Sequence, residues 1–254
     1  MTSKSFAAAV LFAVIVAVPA VRALAGEEDS NEKIAASIKT ITNKDAQSMD
    51  KERAVRYLAT PDIAPLAAGA LMDELEKNED AYARLSIMLC MNSFTDANMF
   101  EPGLRKLLAL FDNSNYGVRF WAVRLSGRIK SKAALEPLQK QLADKDAVIR
   151  REAAAALGKQ DDTSSADALV ALLKDPSDSV RCAAAEALGA MSAGSAKKNL
   201  IDILASDSSV PLQKACVDAL EKITAVSFNI EKIDWFSLPE ARNQKIEDWI
   251  DKNK

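Results

Sequence analysis

Along the middle of the chain an aliphatic residue followed by Arg is joined by a small residue four steps from the first and a glycine nine steps from it. The arrangement runs from Val118 to Gly127, from Ile149 to Gly158 and from Val180 to Gly189, with a degenerate copy from Leu212 to Glu221. Successive starts lie 31, 31 and 32 residues apart. A period of this length means stacked supersecondary units, because one such unit cannot bury its apolar face alone. In the clearest copy Val180, Ala184, Ala187 and Leu188 fall at i, i+4, i+7 and i+8, one face of an α-helix. Upstream, Ala168, Leu169, Leu172 and Leu173 give a second, shorter amphipathic helix, so each repeat reads as a helix hairpin. Ser177 or Ser179 is placed to cap the longer helix, with Pro176 just before it. Gly189 is expected to close it as the left-handed residue.

The position of Ala184 holds Ala122, Ala153 and Cys216 in the other copies, so it is always small. A small side chain facing a neighbouring helix lets two axes approach closely, as stacked hairpins require. An interior of Ala and Leu explains how the chain is 49% hydrophobic with only 6% aromatic residues.

The spacing predicts hairpins over residues 101–129, 132–158, 164–191 and 195–225. Before them, Ile63 to Leu75 and Ala83 to Met91 form another, with Ala83 and Arg84 in the Val-Arg slot, Ser86 and Cys90 as its small residues, and a loop around Asn92 to Asn98. Ile34, Ile38 and Ile41 share a helix face, and Ala54, Val55, Tyr57 and Leu58 suggest a partner helix before Pro61. This pair is expected to cap the array. After Ile223 the repeat stops: residues 226–236 read as extended, and Ser237-Leu238-Pro239-Glu240 opens a last helix carrying Ile246, Trp249 and Ile250. The end of a solenoid needs covering, and residues 226–254 are expected to cover it.

At the other end, Lys4, an apolar run from Phe6 to Val18, Pro19 and a small-residue site at Ala23-Leu24-Ala25 have the layout of a secretory signal peptide. Cleavage is expected after Ala25. The organisation is then a signal peptide at 1–25, a repeat array at 26–225 and a capping segment at 226–254, in a protein exported to the periplasm or beyond the cell. No cysteine follows the apolar run, which argues against a lipid anchor, and no later stretch is long enough to cross a bilayer.

The formal charge of −3 becomes −5 without Lys4 and Arg22, 31 basic residues against 36 acidic. An acidic chain offers no long-range attraction to nucleic acid or an anionic membrane surface. The chain has no histidine, which removes the commonest general base and zinc ligand and every Ser-His or Cys-His nucleophile. Its eight glycines form neither GxxxxGK nor GxGxxG. No catalytic, cofactor-binding or metal-binding residues are assigned. Cys90, Cys182 and Cys216 lack CxxC spacing. Cys182 and Cys216 sit two and four steps after their helix starts, so their side chains diverge. Three free thiols are expected, with Cys90 and Cys216 in the core and Cys182 partly exposed.

The run "L...D....VR..AA..LG" at 173–189, repeated at 142–158 and loosely at 111–127, resembles the HEAT family, and more narrowly the short HEAT-like repeats of phycobilisome lyases. The resemblance implies an all-α fold, a right-handed α-solenoid of about five to six stacked hairpins. The end of the chain, with two tryptophans and a Lys/Asn tail, is similar to that of exported bacterial HEAT-like proteins. Scaffolds, lyases and DNA glycosylases all use such repeats, so the resemblance fixes fold more than activity. In similar repeats the Arg meets an Asp from the preceding turn. This gives Arg84, Arg119, Arg150 and Arg181 a structural role as a ladder, with Asp112, Asp144, Asp146, Asp175 and Asp178 as partners, in preference to an anion-binding strip.

The second helix of each hairpin normally lines the concave side, and positions two and six steps after its apolar start point away from the core. These are Phe120 and Arg124, Arg151 and Ala155, Cys182 and Glu186, and Lys214 and Asp218. Phe120, with Trp121 beside it and Arg124 and Arg128 nearby, has the composition of an interface hot spot. The alternative is that both rings pack against the irregular hairpin before them. The expected function is a non-catalytic exported scaffold or adaptor that binds a protein or peptide on the concave helical face. A subunit of a chromophore-attaching lyase is the alternative implied by the family.

Overall fold

A computed structural model of the protein describes residues 29–94, 103–160, 162–206, 209–226 and 248. The signal peptide, the strand-like stretch after 226 and the final helix expected from the sequence lie outside the described residues, as do residues 95–98 of the loop. Asn92 belongs to a helix rather than to that loop. The chain divides into two compact units, Met1–Gly103 and Leu104–Lys254.

In the first unit, residues 29–42 form helix α1. It is followed by α2 (Ser48–Leu58), α3 (Ala64–Lys77) and α4 (Ala81–Asn92). Ile34, Ile38 and Ile41 are buried together with Ala54 and Leu58, as their helical spacing requires. α3 packs on α4 as a hairpin. The Asp80 carboxylate starts α4 by accepting the Ala83 backbone N–H at 2.8 Å, satisfying one of the orphan donors of the first turn.

The second unit opens with α5 (Leu104–Ala109), which tightens into a 3-10 turn at Leu110–Asp112, and α6 (Tyr116–Ser126). Three hairpins follow: α7 (Leu135–Gln141) with α8 (Ala147–Leu157), α9 (Ala166–Leu172) with α10 (Asp178–Ala190), and α11 (Lys197–Ser206) with α12 (Val210–Thr224). The second helices stack in order, α6 on α8, α8 on α10 and α10 on α12, and each shorter helix packs on its own partner. Ala122, Ala153, Ala184 and Cys216, the small residue of each copy, expose no surface.

The glycines do something other than expected. No described glycine has a positive φ; Gly127 and Gly158 are right-handed, at φ −65° and −58°, and Gly189 lies inside α10. A Cβ on Gly127 would stand 2.9 Å from the Cα of Ala156, one on Gly158 2.8 Å from the Cα of Ala187, and one on Gly189 2.6 Å from the Cα of Ala219. These distances are too short for any side chain. Glycine at the ninth step of one repeat therefore admits the backbone of alanine at the seventh step of the next. The copies obey this pairing at both ends of the stack. Leu125 fills the seventh step in α6, and Glu221 replaces glycine in α12, after which no repeat follows. Among the described residues the left-handed ones are Ser192 and Ala225, at φ 51° and 56°. Ala225 ends α12 and donates its N–H to the Glu221 carbonyl at 2.9 Å.

The turns before the long helices are also built differently. Ser177 occupies the cap position of α10, but its hydroxyl makes no capping bond. Instead Asp175 accepts the Ser177 N–H at 2.8 Å, and Asn113 and Asp144 accept the corresponding N–H groups of Asn115 and Asp146 at 2.9 and 2.7 Å. These are Asx turns, the local bonding that suits Asn and Asp to such positions.

Of the four arginines expected to form a ladder, Arg119 and Arg150 bridge successive turns, in the direction opposite to the one expected. Arg119 donates to Asp144 and Asp146 at 3.2 and 2.6 Å, and Arg150 grips Asp175 with two bonds of 2.7 and 2.9 Å. The carboxylates belong to the turn of the following repeat, 25 residues downstream in the case of Asp144 and Asp175. Each arginine also donates to carbonyls of its own turn: Arg119 to Asn113 and Ser114, and Arg150 to Asp144 and Lys145. One guanidinium thus ties two successive turns, and its fork shape is what allows this. Ser206 stands 25 residues after Arg181, where the other copies have Asp. Arg181 bonds Asp178 at 2.9 Å in its own turn, and Asp178 in turn accepts the Ser209 hydroxyl. Arg84 lies half-buried in α4, its Nε buried with no hydrogen-bond partner.

Candidate functional site

On the second helices, none of the side chains two and six steps along is buried. Arg124, Glu186 and Lys214 are exposed, and Phe120, Arg151, Ala155, Cys182 and Asp218 are half-exposed. The row exists because the packed residues of each copy occupy the remaining faces of the helix. Arg128, one step beyond the glycine of α6, is half-buried.

Bulk is concentrated on the first two of these helices. Tyr116, Phe120 and Trp121 form a ring cluster on α6, with Tyr116 and Phe120 stacked at 6.3 Å between centroids and Phe120 and Trp121 edge to face at 5.4 Å. The guanidinium of Arg124 lies 5.9 Å from the Phe120 ring and 5.6 Å from Trp121. Such cation–π stacking holds a long side chain in one orientation without taking its charge out of reach. Phe120 and Trp121 are half-exposed, so the rings are neither core residues nor free-standing ones. Arg124 reaches the Glu152 carboxylate on α8 at 3.7 Å, and Arg151 donates to the same carboxylate at 3.0 Å. Glu152 is largely shielded, at 14% side-chain exposure, while Arg124 and Arg151 keep 50% and 40%. Two guanidiniums therefore share one acid at the edge of an aromatic cluster.

Glu186 and Lys214 continue the row on α10 and α12 without joining this cluster. Burial pushes the Asp218 carboxyl above its usual range, with Lys214 partly opposing the shift. None of the three cysteines forms a disulfide. Cys90 is fully buried, and burial pushes its thiol up to about 12, so it carries no thiolate near neutral pH. No group of His, Cys, Asp and Glu among the described residues could hold a metal ion. No described helix is long and apolar enough to cross a membrane.

Sequence reasoning missed Tyr116 and Glu152, which belong to this cluster. Tyr116 precedes the apolar start of α6 by two residues and falls outside the repeat pattern. Glu152 shares the third step with Trp121, Ala183 and Ala215, where a lone acid among small and apolar residues was the available signal. On α4, in the first unit, the second and sixth steps after Ala83 are Leu85 and Leu89, which expose 46% and 56% of their surface beside the exposed Tyr82.

Stacked helix hairpins with a shared small-residue row and an Arg–Asp ladder define an α-solenoid repeat protein. The chain belongs to the HEAT repeat family, whose HEAT repeats model matches residues 67–158, 104–189 and 137–221. No curated protein matches the sequence significantly. Among solved structures, the Escherichia coli protein YibA is similar at a TM-score of 0.56 and 15% identity, covering 87% of this chain and 81% of that one. An engineered protein is similar at a TM-score of 0.51 and 21% identity, over 76% and 99% of the two chains. The complex of CpcE and CpcF of phycocyanin lyase from Nostoc gives a TM-score of 0.47 and 17% identity, over 85% and 94%. At these identities the likeness is one of fold.

Proposed function

We propose that the protein is an exported, non-catalytic scaffold that binds a protein or peptide along the exposed, concave row of its second helices, centred on Phe120, Trp121, Arg124 and Arg151. Arg128, Glu186, Lys214 and Asp218 extend that surface. The observation that carries this reading is the half-exposed Tyr116–Phe120–Trp121 cluster with Arg124 stacked over it, at pattern positions where the later repeats carry small or singly charged residues. Aromatic rings and Arg dominate the energy of protein interfaces because they bury large area with little loss of conformational freedom. Export rests on the signal-like residues 1–25.

The test is capture of partners from the compartment to which the protein is exported, on the wild type and on Phe120→Ala and Arg124→Ala. Each variant is expected to lose a specific partner by at least tenfold in retained amount, the scale of a truncated hot spot. Equal retention by all three proteins, or no specific partner across a range of salt, would refute the reading.

We also propose that residues 226–254 cap the end of the array at α12. The first step of α8 lies on the side turned to the next repeat, where Arg150 bonds Asp175, and the fifth step lies one turn along the same face. In α12 those steps are Gln213 and Val217, which are buried at 1% and 0% exposure although no further repeat follows. Truncation after Thr224 is expected to lower the melting temperature by several degrees, since uncovering apolar residues such as Val217 costs about 1.5 to 3 kcal/mol each. An unchanged melting temperature rules the cover out.

A further inference from the structure

The row of second helices carries charge unevenly, and its charge predicts what it holds. In a chain whose formal charge is −3, Arg124 on α6 and Arg151 on α8 come together around one acid, Glu152. That acid is already engaged. Glu152 meets Arg124 at 3.7 Å and Arg151 at 3.0 Å, is 14% exposed, and has little surface left for an incoming cation. The guanidiniums are in the opposite condition. Each carries five N–H donors, and its contact with Glu152 leaves most of them available on a side chain that is 40% to 50% exposed. Glu152 offsets the repulsion between the two and fixes their spacing. The Phe120 and Trp121 rings hold Arg124 from one side, which leaves its free edge toward solvent.

We infer that this cluster receives an acidic peptide segment, with a carboxylate bridging Arg124 and Arg151 and a neighbouring apolar or aromatic side chain seated on Tyr116 and Phe120. The inference rests on the surface proposed above and adds the chemistry of its occupant. A carboxylate suits the site because a planar guanidinium presents paired donors that match its two oxygens. The apolar neighbour suits it because Tyr116 exposes 45% of its surface beside the stacked Phe120 ring. Water is displaced from the ring faces as the ion pair forms, and a pair formed against an apolar wall is less screened than one in open solvent. Lys-rich segments meet two fixed cations here, and repulsion excludes them.

The test uses the full chain and three fluorescent octapeptides: one alternating Glu with Leu and Phe, one with Gln in place of Glu, and one with Lys in place of Glu. Binding is followed by anisotropy at two salt concentrations, with a single-stranded oligodeoxynucleotide of matched charge as competitor. The Glu peptide is expected to bind at least tenfold more tightly than the Gln peptide and more weakly at high salt. Arg124→Gln and Arg151→Gln should each remove most of that preference, whereas Lys174→Gln, a charge on the turn after α9, should leave it unchanged. Equal affinity for the Glu and Gln peptides, preference for the Lys peptide, absence of binding by every peptide, or better competition by the oligonucleotide than by unlabelled Glu peptide would each overturn the inference. None of these results depends on partner capture by Phe120→Ala, so failure of the acidic specificity and failure of the surface itself are told apart.

Discussion

Replacing Gly189 by alanine is expected to destabilise the protein by about 2 kcal/mol, although alanine is the better helix former. In an open helix the exchange gains up to roughly 1 kcal/mol. Here the new Cβ would stand 2.6 Å from the Cα and 2.9 Å from the Cβ of Ala219. Backbone cannot rotate away as a flexible side chain can, so α10 and α12 must separate, and overpacking of this kind costs about 1 to 3 kcal/mol. The packing loss outweighs the propensity gain. The melting temperature should fall by roughly 4 to 8 °C, at about 2 to 4 °C per kcal/mol for a chain of this size. Gly194 supplies the control, because a Cβ there meets nothing within 4 Å. Gly194→Ala should hold or slightly raise the melting temperature by restricting the unfolded chain. A Gly189→Ala variant as stable as the wild type would mean that the glycine row does not set the distance between repeats.

Arg150→Ala is expected to cost about 2 to 3 kcal/mol at neutral pH and much less in acid. The side chain gives Asp175 two bonds and also donates to the Asp144 and Lys145 carbonyls, with Arg150 and Asp175 only 13% and 8% exposed. Its removal leaves a shielded carboxylate without its main partner, a loss characteristic of charged hydrogen bonds. The Arg150 guanidinium holds the Asp175 carboxyl below the usual carboxylate range, chiefly by hydrogen bonding. A carboxyl whose folded pKa is depressed stabilises the fold above its unfolded value, about 3.9, and loses that contribution as pH falls through the folded value. The melting temperatures of wild type and Arg150→Ala should therefore differ by several degrees at pH 7 and converge below about pH 4. A gap that stays constant with pH would assign the effect of Arg150 to packing instead of charge.

The periodic residues made the hairpins legible. Four apolar steps define a helix face, and a spacing of 31 fixes the unit, so the four hairpins of the second unit fall where the pattern places them. The partner choices of Gly189 and Arg150 were not legible. Glycine after a helix suggests a left-handed cap, and the Asp residues just before each Arg suggest the preceding turn as its partner. Both residues in fact reach into the next repeat. The copies did hold a clue, since glycine at the ninth step disappears in α12, where the repeat pattern in the sequence stops. For the candidate site, the second and sixth steps of the second helices fall on residues of which none is buried. Tyr116 and Glu152 escaped because one precedes the repeat and the other acts only through its contacts with two arginines on different helices.

Packing and recognition are thus assigned to different rows of the same helices. The affinity of a partner captured on the wild type, measured well below the melting temperature on Phe120→Ala and Gly189→Ala side by side, tests that separation most directly. Phe120→Ala should lose at least tenfold in affinity with little change in melting temperature, and Gly189→Ala should keep its affinity while melting several degrees lower. Unchanged affinity in Phe120→Ala, or an equal loss in both variants, would contradict it.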